Sequence, residues 1–190
     1  MTPARFSLIL QALERRRATG LGPTHGPDHW RRVAAYGLEL NTAEGTGHQD
    51  LALLFALFHD AGRANDHRDP LHGARGAKRA ERYRRRGWFR ASRATMRLLD
   101  YACRYHTQGW LDAPGAVQVC WDADRLDLWR VGTRPDPSRL CTRAARRIAH
   151  GFTSEGRTWV RDPGPARAVQ EAAEDFWRKT ARAVRAPERS

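Results

Sequence analysis

Leu51 to Phe58 is an unbroken apolar run that ends abruptly at the polar pair His59-Asp60. On a helix such a run leaves almost no polar face, so Gln49 to about Asp60 is expected to be a central helix enclosed by others. Gly62 stands just beyond it, where a C-terminal stop belongs. The run is far short of the roughly eighteen apolar residues that a membrane span needs. The remaining segments read as helices that surround this one. They are Ser7 to Arg17, a stretch opened by Pro27 and reaching about Asn41, Leu71 to Arg86, Ala91 to about His106, residues 115–130, Arg139 to His150, and Ala166 to Val184. Pro27 suits the first turn of its helix, and Gly87 ends another. Only Thr158-Trp159-Val160 hints at extended structure, and it is too short to form a sheet. With no internal repeat and no linker, residues 1–190 are expected to form one all-α domain, a compact helical bundle.

The bundle carries an excess of positive charge. Lysine and arginine number 34 against 21 aspartates and glutamates, a formal net charge of +13. Lys78 and Lys179 are the only lysines. Such a surface favours anionic partners: nucleotides, phosphate esters or nucleic acid. Nucleic acid is not favoured as the main partner, because no recognisable nucleic-acid motif accompanies the charge. Cys103, Cys120 and Cys141 form no CxxC pair and read as reduced thiols, which points to the cytoplasm. The short apolar patch Phe6 to Leu10 runs into Glu14-Arg15-Arg16-Arg17 and does not read as a signal peptide. The oligomeric state stays open, a dimer included.

Six of the eight histidines lie between His25 and His72, and a seventh is His106. His59 and Asp60 end an apolar helix, so both side chains are delivered to the edge of the core. Burying them unpaired would cost several kcal/mol, and a local hydrogen bond or a metal ion would each remove that cost. Imidazole with carboxylate suits Zn, Fe, Mn, Ni or Co. His25 and His29 stand four residues apart where a helix begins, so they can face one side. Farther on, Trp121-Asp122-Ala123-Asp124-Arg125-Leu126-Asp127-Leu128 sets three acids in an apolar helical stretch. Asp124 and Asp127 share a face, whereas Asp122 lies well round the helix.

The order His29, His59-Asp60, Asp124 resembles the H…HD…D signature of the HD-domain superfamily of metal-dependent phosphohydrolases. His25-Gly26-Pro27-Asp28-His29-Trp30-Arg31-Arg32-Val33 is similar to that family's HGxxHxxRV opening. Phe58-His59-Asp60-Ala61-Gly62-Arg63 is similar to its HDxG[KR] centre, and Asp122 to Asp127 to its DADxLD close. The resemblance covers about residues 20–130. It implies an HD-like core over about 20–150 and one divalent ion (Mn, Fe, Co, Ni, Zn or Mg) held by His29, His59, Asp60 and Asp124; the C-terminal helical segment expected over about 151–190 is read from its own pattern and lies outside the resemblance. Asp124 is preferred to Asp122 because the family's ligand precedes an x-Leu step.

The implied activity is hydrolysis of a small anionic phosphate ester, with a nucleotide foremost. Asp60 would orient or deprotonate the attacking water, and His72 and His106 are further catalytic candidates. Arg32, Arg63, Arg75 and Arg125 lie near ligands in sequence and are candidates for binding substrate phosphate. Some nucleotidases of the superfamily place a glutamate three residues after the HD aspartate, where this chain has Arg63, so the group that protonates the leaving group stays open. Two other readings remain. One is a di-iron oxygenase on the same fold, which would need extra ligands such as His25, His72 and His106. The other is a nucleotide- or nucleic-acid-binding module with a structural metal.

Overall fold

The computed structural model describes residues 1–18 and 21–151. These form seven α-helices: α1 (Pro3–Glu14), α2 (Pro27–Glu44), α3 (Gln49–Phe58), α4 (His72–Arg85), α5 (Arg93–Tyr105), α6 (Gly115–Leu126) and α7 (Arg143–His150). Single 3-10 turns fill several of the connections, and no strand occurs among the described residues. The chain is therefore all-α. No helix among the described residues is long and apolar enough to cross a membrane. The expected helix at Ala166 to Val184, the Thr158-Trp159-Val160 stretch and the C-terminal segment 151–190 lie outside the described residues, save Gly151.

Every residue of α3 from Leu51 to Phe58 is buried, as an all-round apolar helix requires. It is packed by α1, α2, α4, α5 and α6. Helix starts follow capping chemistry. Thr2 caps α1, its hydroxyl accepting from Arg5 N at 3.3 Å, and Pro3 occupies the first turn. The helix therefore begins before Ser7, where apolar spacing alone would start it. Ser92 and Thr142 cap α5 and α7 in the same way, accepting from Thr95 N and Ala145 N. Gly45 ends α2 with φ of +62°, a left-handed conformation that favours glycine.

Gly62 has a different role from the helix stop expected of it. Its φ is not positive; instead, a Cβ there would overlap the backbone of His72 and Gly76. A Cβ on Gly76 would likewise run into the carbonyl of Phe58, and one on Gly73 into that of Cys103. Three glycines thus let the start of α4 lie directly on the end of α3 and on α5. This close approach carries His72 to His59-Asp60 and to His106, which begins the turn after α5.

Candidate metal centre

Four buried imidazoles converge at the end of α3. His29 comes from the first turn of α2, His59 from the residue after α3, His72 from the start of α4, and His106 from the residue after α5. Each has its Nδ1 committed outward. His29 Nδ1 meets Asp127 Oδ2 at 2.7 Å, His59 Nδ1 meets Phe55 O at 3.0 Å, His106 Nδ1 meets Cys103 O at 2.7 Å, and His72 Nδ1 meets Asp69 O. Carbonyl and carboxylate oxygens only accept, so every Nδ1 carries its hydrogen and every neutral ring presents a lone pair at Nε2.

Those lone pairs point at one another. His29 Nε2 lies 3.0 Å from His59 Nε2, and His72 Nε2 lies 3.0 Å from His106 Nε2. Two acceptors this close repel unless a cation stands with them. In the protein alone a proton partly serves. Burial lowers the pKa of His59 to about 3, whereas hydrogen bonds to Asp124 and Asp127 more than offset burial at His29 and raise its pKa. His106 is also raised, its hydrogen bond to Asp60 and the Asp124 charge outweighing burial. The donor set itself fits divalent metal: neutral imidazole with carboxylate, each ring held by an outer hydrogen bond.

The carboxylates complete two groups. His29, His59 and Asp124 form one, and Asp60, His72 and His106 the other, with the donor atoms of each within 4.8 Å of one another. Asp124 Oδ1 lies 3.4 Å from His29 Nε2 and 3.7 Å from His59 Nε2. Asp60 stands between the groups. Its Oδ1 is 3.1 Å from His72 Nε2, while its Oδ2 is 3.6 Å from His29 Nε2 and 3.7 Å from His59 Nε2. Burial would raise the pKa of Asp60, yet the surrounding imidazoles hold it well below the usual carboxylate range. Asp124 is held low against burial in the same way, by His29 and His59. One ion is expected from the sequence; the described residues present two donor groups.

The neighbouring Asp122 faces elsewhere. It accepts from Cys141 N at 2.8 Å, from Thr142 N at 2.7 Å and from the Thr142 hydroxyl at 2.8 Å, and so anchors the start of α7. Burial raises its pKa despite these bonds. His25, on the 3-10 turn before α2, reaches Asp60 Oδ2 with Nδ1 at 2.7 Å.

The four arginines expected near phosphate all have protein partners. Arg32 donates to Asp127 through Nε at 2.7 Å and a terminal nitrogen at 3.1 Å. Arg63 Nε donates to Asp60 Oδ1 at 3.0 Å, Arg75 Nε to Gly62 O at 2.8 Å, and Arg75 also pairs with Asp69. Arg125 donates to the carbonyls of Arg139 and Trp110 at 3.0 and 2.8 Å. Sequence reasoning missed the support of His29 by Asp127, which Arg32 and Arg130 flank. The three-residue step from Asp124 to Asp127 was its one available signal. A cavity of about 500 Å³ adjoins the centre, with His106 and Asp124 among its lining residues.

The sequence pattern of the HD domain matches residues 28–144, more than half of the chain. No curated protein and no solved structure was found similar to the chain. The matched span contains all six residues of the two donor groups. The chain therefore belongs to the HD domain family, within the metal-dependent phosphohydrolase superfamily.

Proposed function

We propose that the protein hydrolyses a small phosphate ester, with a nucleotide as the leading substrate, at a centre of two divalent ions. His29, His59 and Asp124 would hold one ion, His72 and His106 the other, and Asp60 would bridge them. The carrying observation is the pair of facing Nε2 lone pairs, each 3.0 Å apart, on either side of one carboxylate. Ions so held would acidify a water molecule and polarise the phosphoryl oxygen. The protein's own part is to fix the donors. His25 Nδ1 and Arg63 Nε bond opposite oxygens of Asp60, which keeps that carboxylate from rotating out of its bridging place. Asp127 and the carbonyls of Phe55, Cys103 and Asp69 keep each imidazole in the tautomer that offers Nε2 inward. In this reading residues 1–190 are one domain, with the core over about 20–150.

A phosphate-release screen over nucleotides and simple phosphate esters, with Mn, Co, Ni, Mg or Fe, tests the reading beside Asp60→Ala. Metal-dependent release, reduced by roughly a hundredfold or more in the variant, is the expected result. No release with any metal, or a variant as active as the parent, refutes it. The two donor groups also keep a di-iron oxygenase as a second reading, since they bring His72 and His106 beside the HD pair. Dioxygen consumption by the Fe(II)-loaded protein, without phosphate release, would favour that alternative.

A further inference from the structure

The lining of the cavity beside the metal centre includes His106 and Asp124, one residue from each donor group. A phosphoryl group at the centre would therefore have the remainder of its substrate in this space. At about 500 Å³ the cavity lies in the roughly 300–1,000 Å³ range of small-molecule sites and is too large for phosphate alone. Leu128 and Leu140 supply apolar wall, and apart from the His106 imidazole, already a proposed metal ligand, no aromatic side chain among the described residues lines the cavity to stack a flat ring. Three arginines border it: Arg125, Arg134 and Arg139. Arg125 is spent on backbone carbonyls. Arg139 lies 3.8 Å from Asp136, whose other oxygen is occupied by the Ser138 amide and hydroxyl. Arg134 differs from both. It makes no hydrogen bond or close ion pair among the described residues, and feels Asp136 only as a longer-range charge.

Resting on the hydrolase reading above but departing from its nucleotide substrate, we infer that this cavity selects phosphate esters that carry a second anionic group, carboxylate or phosphate, at the far end of a short flexible spacer. Arg134 is the specificity-determining residue that receives this second anion. The guanidinium is the side chain suited to such a group, since its fork matches a carboxylate or phosphate with two parallel hydrogen bonds. Leu128 and Leu140 accommodate the spacer. The arginines nearer the metal ligands in sequence cannot take this role without giving up the bonds that hold Asp60, Asp127 and the cavity wall.

The test compares two probes with one scissile ester each, 4-phosphooxybutanoate and butyl phosphate, on the Mn-loaded protein of residues 1–190. The ratio of their kcat/KM values is the readout. A ratio of roughly tenfold or more favouring the doubly anionic probe is expected. It should collapse towards one in Arg134→Ala and recover in part in Arg134→Lys. Arg97→Ala, which removes the same charge from α5 outside the cavity, should keep the parent's ratio. A parent ratio near one overturns the inference, as does an equal loss in Arg97→Ala. Titration with 4-phosphonobutanoate and butylphosphonate separates this claim from the hydrolase reading. If neither ester is cleaved but the doubly anionic phosphonate binds tighter through Arg134, hydrolysis is refuted and the anion site stands. If binding shows no preference either, both are refuted.

Discussion

Asp127→Asn should weaken metal binding without touching a proposed ligand. The buried Asp127 carboxylate accepts from His29 Nδ1 at 2.7 Å and from Arg32 at 2.7 and 3.1 Å. An asparagine keeps the shape but has one acceptor oxygen and one donor nitrogen. If its NH2 faces His29, the imidazole proton must leave Nδ1 and settle on Nε2, where the metal should bind. If its oxygen faces His29, Arg32 meets a donor and loses its charged partner. Loss of such an outer partner typically weakens metal affinity by roughly 10- to 100-fold, or about 1.4–2.8 kcal/mol. The metal-free protein should also lose roughly 1.5–3 kcal/mol, the worth of a hydrogen bond to a charged group. The lower end is expected, because Arg32 keeps 25% of its side chain in water and can be solvated there. Calorimetric titration with Mn²⁺ gives the first quantity and denaturant unfolding of stripped protein the second. An affinity within twofold of the parent would refute the claim that Asp127 sets the His29 tautomer.

Gly76→Ala should force α4 off the end of α3 and carry His72 with it. A loss of about 1–3 kcal/mol in unfolding and a large drop in phosphate release are expected; unchanged values in both would disprove the close approach. Asp122→Ala should cost roughly 1–3 kcal/mol by orphaning the Cys141 and Thr142 amides, yet bind as much metal as the parent. Loss of metal from that variant would instead make Asp122 a ligand. Metal must displace the protons that His29 and His106 hold more tightly than an ordinary histidine does, so affinity should fall by about tenfold per pH unit per displaced proton as pH drops. Without metal the sign reverses for these two groups, whose stabilising contribution is complete below pH ~6.5 and fades as pH rises through their folded values. The Tm gap between metal-loaded and stripped protein should accordingly widen from about pH 6 to pH 8, and a gap that narrows would contradict the assignment.

The central helix was legible because burial on every side writes itself into consecutive residues from Leu51 to Phe58. His29, His59, Asp60 and Asp124 were legible for a related reason, since each sits in a short motif at an element's end. The grouping of these residues into two sets was not. His72 and His106 are 34 residues apart, and only the contact of α4 with α3 and α5 through Gly62, Gly73 and Gly76 brings them to Asp60. The partners of the arginines were not legible, because proximity in sequence says nothing of which carbonyl or carboxylate has already claimed a guanidinium. Arg32, Arg63, Arg75 and Arg125 are all so claimed, while Arg134 sits in a proline-flanked turn with no local signal. The capped start of α1 at Thr2-Pro3 was readable, but apolar spacing from Ser7 onward masked it.

Counting metal per chain tests the account most directly. Protein stripped by chelation, reloaded with Mn²⁺ at about pH 8 and freed of excess should retain two equivalents by atomic emission. His106→Ala should retain about one, and Asp60→Ala, which loses the bridge, fewer than the parent. A parent that retains no ion, or an Asp60→Ala protein that retains as much as the parent, would contradict the claim that the facing imidazoles and their shared carboxylate are a metal centre.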